Sequence, residues 1–139
     1  MNFDRGKLVD NLYLLKQKIV ESLGALFGIF FFRVYFILAA LINLFCWFFV
    51  FLIRSRIATD SAILHYNIDF GVNLIGTSNQ LFTIPLLGLL ILLMNSAAAR
   101  IIIKRKVDKF LLHFLGGSAG IANFFLLIAL SFLYLINSR

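Results

Sequence analysis

Three long apolar runs constrain this chain more than any other feature of its sequence. Residues 34–53, VYFILAALINLFCWFFVFLI, hold no charged side chain and are closed by Arg54 and Arg56. Residues 81–99, LFTIPLLGLLILLMNSAAA, end at Arg100, and residues 110–136, FLLHFLGGSAGIANFFLLIALSFLYLI, complete the set. A helix rises about 1.5 Å per residue, so about 20 residues cover the roughly 30 Å of a hydrocarbon core. Each run is long enough to cross, and the third is long enough to tilt. Pro85 falls in the first turn or two of the second run, where a missing N–H is least costly. The chain is 62% hydrophobic with a mean hydropathy of +0.99, more apolar surface than a soluble domain can hide. The sequence predicts an all-α integral membrane protein, a single membrane domain of three transmembrane helices.

The polar residues lie mostly at the ends of these runs. Residues 7–23, KLVDNLYLLKQKIVESL, place Leu8, Leu12, Leu15, Ile19 and Leu23 at spacings of four, three, four and four. That is the period of an amphipathic helix, expected to lie in the membrane interface ahead of the first span. A helix docked on a soluble partner is the rival reading. The first span is expected from 34 to 53 with Arg33 at its entrance, and an earlier start near Leu26 stays open. A cleaved signal peptide is not expected: Asp4, Asp10 and Glu21 make the N-terminal stretch too polar, and the following apolar run is too long.

Basic residues set the orientation. Arg5, Lys7, Lys16, Lys18 and Arg33 precede the first span, and Arg100, Lys104, Arg105, Lys106 and Lys109 join the second to the third. With three spans these two groups share one side, against Arg54, Arg56 and Arg139 on the other. The expected topology has the N-terminus in the cytoplasm and the C-terminus outside. Lys16, Lys18, Arg33, Arg100, Lys104, Arg105 and Lys106 are the expected contacts to anionic lipid headgroups. A net charge of +7 in this arrangement argues for membrane surface and against nucleic acid. The single cysteine, Cys46, lies inside an apolar run and reads as a small packed hydrophobe.

One segment breaks the helical pattern. From Leu64 to Leu74 every even position is apolar (Leu64, Tyr66, Ile68, Phe70, Val72, Leu74), and the odd positions are His65, Asn67, Asp69, Gly71 and Asn73. A period of two marks extended chain. A lone strand cannot cross lipid with its backbone groups unsatisfied. Residues 57–80 are therefore expected along the outer interface, with His65, Asn67, Asp69 and Asn73 toward water. An extended edge also needs a partner. A hairpin turning near Gly71 or pairing with a neighbouring subunit would provide one, and an irregular loop or short interfacial helix is the alternative.

Groups that could carry chemistry are few. No phosphate-cradling glycine loop, G-x-S-x-G, H-E-x-x-H or CxxC occurs. His65, Asn67 and Asp69 would share a face of an extended chain, but two ligand-grade groups are too few for a metal site, and a solvated polar face is the expected use. His113 opens the third span on the basic side, and no Asp or Glu lies in any span, which argues against a proton relay. No catalytic residue, metal or cofactor is expected. What recurs is a small residue and an amide in each span: Ala39 with Asn43, Gly88 with Asn95, and Gly116 and Gly120 with Asn123. Small residues let helices approach, and an amide in lipid needs a hydrogen-bond partner. Counting residues from the inner face puts Asn43 and Asn123 at nearly the same depth, so these two amides are expected to meet, within one chain or between chains. Asn95 is expected near the inner interface or Arg100.

The string LHYNIDFGVNLIG, followed by a span opening on Pro85-x-x-Gly88-Leu89, resembles uncharacterised small multi-span membrane proteins of uncultured bacteria. The resemblance covers residues 63–95. It implies a bacterial inner membrane and carries over no functional residue. Three functions fit the residues: a non-enzymatic subunit or scaffold that associates with itself or with a larger membrane complex; an oligomeric channel or transporter lined by Asn43, Asn95, Asn123, Ser118 and Ser131; and an enzyme acting through His65 and Asp69. The first is expected.

Overall fold

The computed structural model describes residues 5–57, 61–67, 69, 71–105 and 109–138. Residues Ile68, Phe70 and Lys106, and the side chains of Lys7, Leu8, Leu15, Ile19, Leu23, Tyr66, Asn67 and Asn73, lie outside the description. The elements in chain order are helix α1 (Arg5–Phe27), helix α2 (Phe30–Arg56), strands β1 (Ser61–Asn67) and β2 (Gly71–Thr77), a 3-10 turn (Ser78–Phe82), helix α3 (Thr83–Lys104) and helix α4 (Lys109–Asn137). Helix α2, the 3-10 turn with α3, and α4 are each long and apolar enough to cross a membrane.

The three long helices pack along one repeat. On α2 the buried positions Phe32, Ala39, Asn43, Cys46, Val50 and Ile53, with half-buried Phe36 between the first two, alternate four and three residues apart. The same alternation runs through Leu81, Pro85, Gly88, Leu92, Asn95 and Ala99 leading into and along α3, and through Leu112, Gly116, Ala119, Asn123, Leu126, Leu130 and Leu133 on α4. A seven-residue repeat is slightly shorter than two helical turns, so helices keep such stripes in register by coiling left-handedly. The chain runs up, down and up, which sets α2 parallel to α4 and α3 antiparallel to both.

Contacts change in character along the bundle. At the end near the N-terminus Leu26, Phe32, Ala99 and Leu112 form one buried cluster. Ala39, Leu92 and Ala119 follow. At the other end Cys46, Val50, Ile53, Ala62, Leu81, Leu130 and Leu133 form the largest cluster. Outside these stripes the helices present Leu41, Leu44, Phe45, Phe48, Phe51, Leu90, Leu93, Phe125 and Phe132 with half or more of their surface uncovered or nearly so. Such a surface belongs in lipid, and the protein is an integral membrane protein.

Boundaries differ from the sequence reading at several helix ends, two of them at charged residues. Helix α2 starts at Phe30, separated from α1 by Gly28 and an extended Ile29 with φ −84° and ψ 108°. Arg33 is thus inside the first turn of α2 rather than ahead of it. Arg100–Lys104, expected as connection, continue α3. No glycine or proline interrupts Ala97–Ile103, and Lys104 suits the negative end of the helix dipole.

The alternating segment is a hairpin whose strands pair from Ser61↔Thr77 to Asn67↔Gly71, with a bulge around His65. Gly71 takes φ 73°, in the left-handed region that favours glycine. Ala62 points into the large end cluster, and Leu64 packs against it.

Candidate helix-packing site

The middle of the bundle is built on two amides. Asn43 on α2 and Asn123 on α4 are 4% and 0% exposed. Asn43 Nδ2 donates to Asn123 Oδ1 at 2.9 Å and to the Pro85 carbonyl at 3.0 Å. Asn123 Nδ2 donates to the Gly88 carbonyl at 3.2 Å and to the Ala119 carbonyl at 2.9 Å. Asn43 Oδ1 in turn accepts the Trp47 indole N–H at 3.2 Å. All four amide N–H groups and both amide oxygens therefore have partners, and all three long helices take part. Among the described residues no buried side-chain nitrogen or oxygen lacks a partner.

Gly88 is what allows this. A Cβ there would overlap Asn123 Oδ1 and come within 2.6 Å of Asn43 Nδ2. The glycine matters for space, not for an unusual backbone angle. Without a side chain at 88, the carbonyls of Pro85 and Gly88 stand open to amides from two different helices. An unsatisfied amide in hydrocarbon costs several kcal/mol, which gives the arrangement its stringency. Cys46 adds a weak contact, its thiol donating to the Asn123 carbonyl at 3.8 Å.

The other small residues divide. Ala39 packs with Leu92 and Ala119 at the next level. Gly116 lies under Tyr35, where an added Cβ would meet the ring at 2.8 Å. A Cβ at Gly120 would meet nothing within 4 Å, so a glycine is not needed there for close helix approach within this chain. From Gly116 to Asn123 the buried stripe passes through Ala119, three residues on, instead of Gly120, four residues on. Asn95 is half-buried on the α3 stripe, apart from the amide cluster. Ser96, Ser118 and Ser131 each donate to a carbonyl of their own helix.

At the basic end, Arg100 Nη2 donates to the Lys18 carbonyl at 3.3 Å, tying α3 to α1. Phe27 meets Phe36 edge-on at 5.0 Å. Lys16, Lys18, Arg33, Lys104 and Arg105 are exposed, with the Arg33 guanidinium 5.6 Å from the Phe30 ring centre. The Tyr35 hydroxyl and His113 Nδ1 are 3.2 Å apart, and His113 stacks on Phe31 at 3.9 Å.

At the opposite end, Asn137 closes α4 onto β1. Its Nδ2 donates to the Ile63 carbonyl at 2.9 Å and its Oδ1 accepts the Ile63 N–H at 2.8 Å, as a neighbouring strand would. Arg54 donates to Ser78 Oγ at 3.4 Å and to Asn79 Oδ1. Gln80 Oε1 accepts the Thr77 N–H at 3.1 Å, the return leg of a capping box. His65 and Asp69 are exposed, each with a contact of its own. Asp69 sits in the turn and not on β1, so His65, Asn67 and Asp69 do not line up along one strand. Asn67 ends β1 and Asn73 lies within β2. No cluster of three His, Cys, Asp or Glu side chains forms among the described residues.

Sequence reasoning missed Trp47, Pro85 and Asn137. Trp47 follows Asn43 by four residues, one turn away, which is a usable signal. Backbone acceptors such as the Pro85 carbonyl leave no trace in residue type. Comparison with protein-family models, with curated proteins and with solved structures finds no match.

Proposed function

We propose that the protein is a non-enzymatic membrane subunit or scaffold: a rigid three-helix core that offers its outer faces to lipid and to partner chains. The observation that carries this is the use of the interior polar groups. Asn43 and Asn123 bond each other, Trp47 and the backbone of α3 and α4, and the span serines bond their own helices. Groups engaged in this way hold helices together; they are not presented to a passing solute or a substrate. The exposed apolar residues of the three helices leave ample surface for a second copy or a larger membrane complex.

In this reading the basic ends face the cytoplasm and contact anionic headgroups through Lys16, Lys18, Arg33, Arg100, Lys104, Arg105 and Lys106. Helix α1 lies in the interface, where its exposed Val9, Leu12, Tyr13 and Val20 find cover. The hairpin and the C-terminus are outside, and the membrane is the inner membrane of a bacterium, as the resemblance over residues 63–95 suggests.

The test is purification in a gentle detergent with mass measurement of what co-elutes. A stoichiometric second protein or a defined homo-oligomer is expected. A homo-oligomer that conducts ions in liposomes, with flux abolished in Asn43→Leu, overturns the reading in favour of a channel.

A further inference from the structure

Beside the contact between α2 and α4 runs an open groove of about 380 Å³, lined by Tyr35, Leu38, Ile42, Gly117, Gly120 and Phe124. Its existence depends on the two glycines. A Cβ at Gly117 or Gly120 would meet nothing within 4 Å, so neither is glycine for the sake of packing in this chain. Their missing side chains leave the space.

The groove itself is apolar, and beyond its Tyr35 end the same face of α4 carries polar groups. Lys109, His113, Gly117, Gly120 and Phe124 follow one another at spacings of four, four, three and four, one face of α4. Lys109 begins the helix and is exposed, and the unpaired N–H groups of a helix start add partial positive charge. Phe31 stacks on the His113 ring with planes 14° apart, and the Tyr35 hydroxyl reaches its Nδ1. When that hydroxyl donates to Nδ1, the neutral imidazole carries its proton on Nε2, the ring atom left to meet a ligand. Neither α2 nor α4 contains an Asp or Glu. Asp108, just ahead of Lys109, lies outside the described residues.

An apolar channel at the depth of lipid tails, with a lysine ammonium and an imidazole N–H beyond its end at the depth of headgroups, matches one amphipathic shape. We propose that this groove holds an acyl chain of an anionic phospholipid whose phosphate is met by Lys109 and by Nε2–H of His113. The inference rests on reading α2 and α4 as spans whose basic ends reach the headgroup layer. A second copy of this chain would find the glycines equally accommodating, but it would not use the lysine and imidazole beyond the end.

The experiment titrates the detergent-purified protein with phosphatidylglycerol and, in parallel, with phosphatidylcholine, counting bound lipid by native mass spectrometry. One phosphatidylglycerol per chain is expected, held more tightly than phosphatidylcholine. Gly120→Leu fills the groove and is expected to remove both lipids while leaving unfolding in lipid-free detergent unchanged. Lys109→Ala is expected to lower the preference for phosphatidylglycerol about fivefold, the equivalent of roughly 1 kcal/mol for one basic residue at a headgroup surface. Gly117→Leu gives the same readout should Gly120→Leu fail to fold. Equal binding of the two lipids, or lipid retained in both leucine variants, overturns the proposal. So does a wild-type dimer that either leucine variant converts to monomer, since the groove then seats a second copy. The lipid count is separate from the search for co-eluting proteins, so failure of one leaves the other standing.

Discussion

Two asparagines can sit in an apolar interior only because each amide N–H has an acceptor within 3.2 Å. The Asn43–Asn123 bond joins α2 to α4, and the bonds to Pro85 and Gly88 bring in α3. Replacing both asparagines singly and together by leucine is expected to give a coupling energy of about 0.6–1.7 kcal/mol in reversible detergent unfolding. Additive effects would mean that the two amides do not act on each other. A sharper contrast comes from the glycines. Gly88→Ala drives a methyl group into both amides and is expected to destabilise by about 1–3 kcal/mol. Gly120→Ala points into open space and is expected to be neutral or slightly stabilising. The two variants, compared by melting temperature, separate a glycine needed for close approach from one that is not.

The elements divide by how much local pattern governs them. The three spans are written into runs of apolar residues, and their ends were legible to within a few residues. The joint at Gly28 and Ile29 was less so, because Phe27 through Phe32 read as equally apolar on both sides of it. The hairpin shows the converse case. Alternation announced extended chain, but a turn that folds it back on itself leaves the parity of its side chains unchanged on either side of the bulge: Tyr66 faces Val72 and Ala62 faces Gly76, while at the bulge His65 faces Leu74. What secures it is remote in sequence. Asn137 supplies both a donor and an acceptor to Ile63 from 74 residues away. Asn137→Ala is expected to speed hydrogen exchange at the Ile63 amide by about five- to tenfold, the loss of a bond of roughly 1–1.5 kcal/mol. Amides of α4 around Asn123 are expected to keep their protection. Loss of protection throughout α4 would mean that the hairpin contact supports the whole bundle.

At the scale of the molecule, the proposed topology puts the hairpin on one side of the membrane and the lysine-rich ends on the other. Leu74, 53% exposed on β2, gives a handle. In a Leu74→Cys variant, a membrane-impermeant maleimide is expected to label from outside the cell and not from the cytoplasmic side of inverted vesicles. The native Cys46 is buried in the bundle and contributes little background. Labelling only from the cytoplasmic side would invert the assignment of every headgroup contact.

The sequence by itself determined the number of spans, the segregation of charge to their ends and the presence of an extended segment between the first two. These follow from local physics: hydrocarbon excludes charge and unsatisfied backbone over any stretch as long as the bilayer is thick. Which glycine is packed and which is open, which carbonyls receive the amides, and how the hairpin is fastened were decided by the tertiary structure alone. Gly116 and Gly120 carry the same residue type on the same helix, and only the position of Tyr35 against one of them sets their roles apart. Those distinctions depend on the rotation of each helix about its axis, and that rotation is fixed by its neighbours.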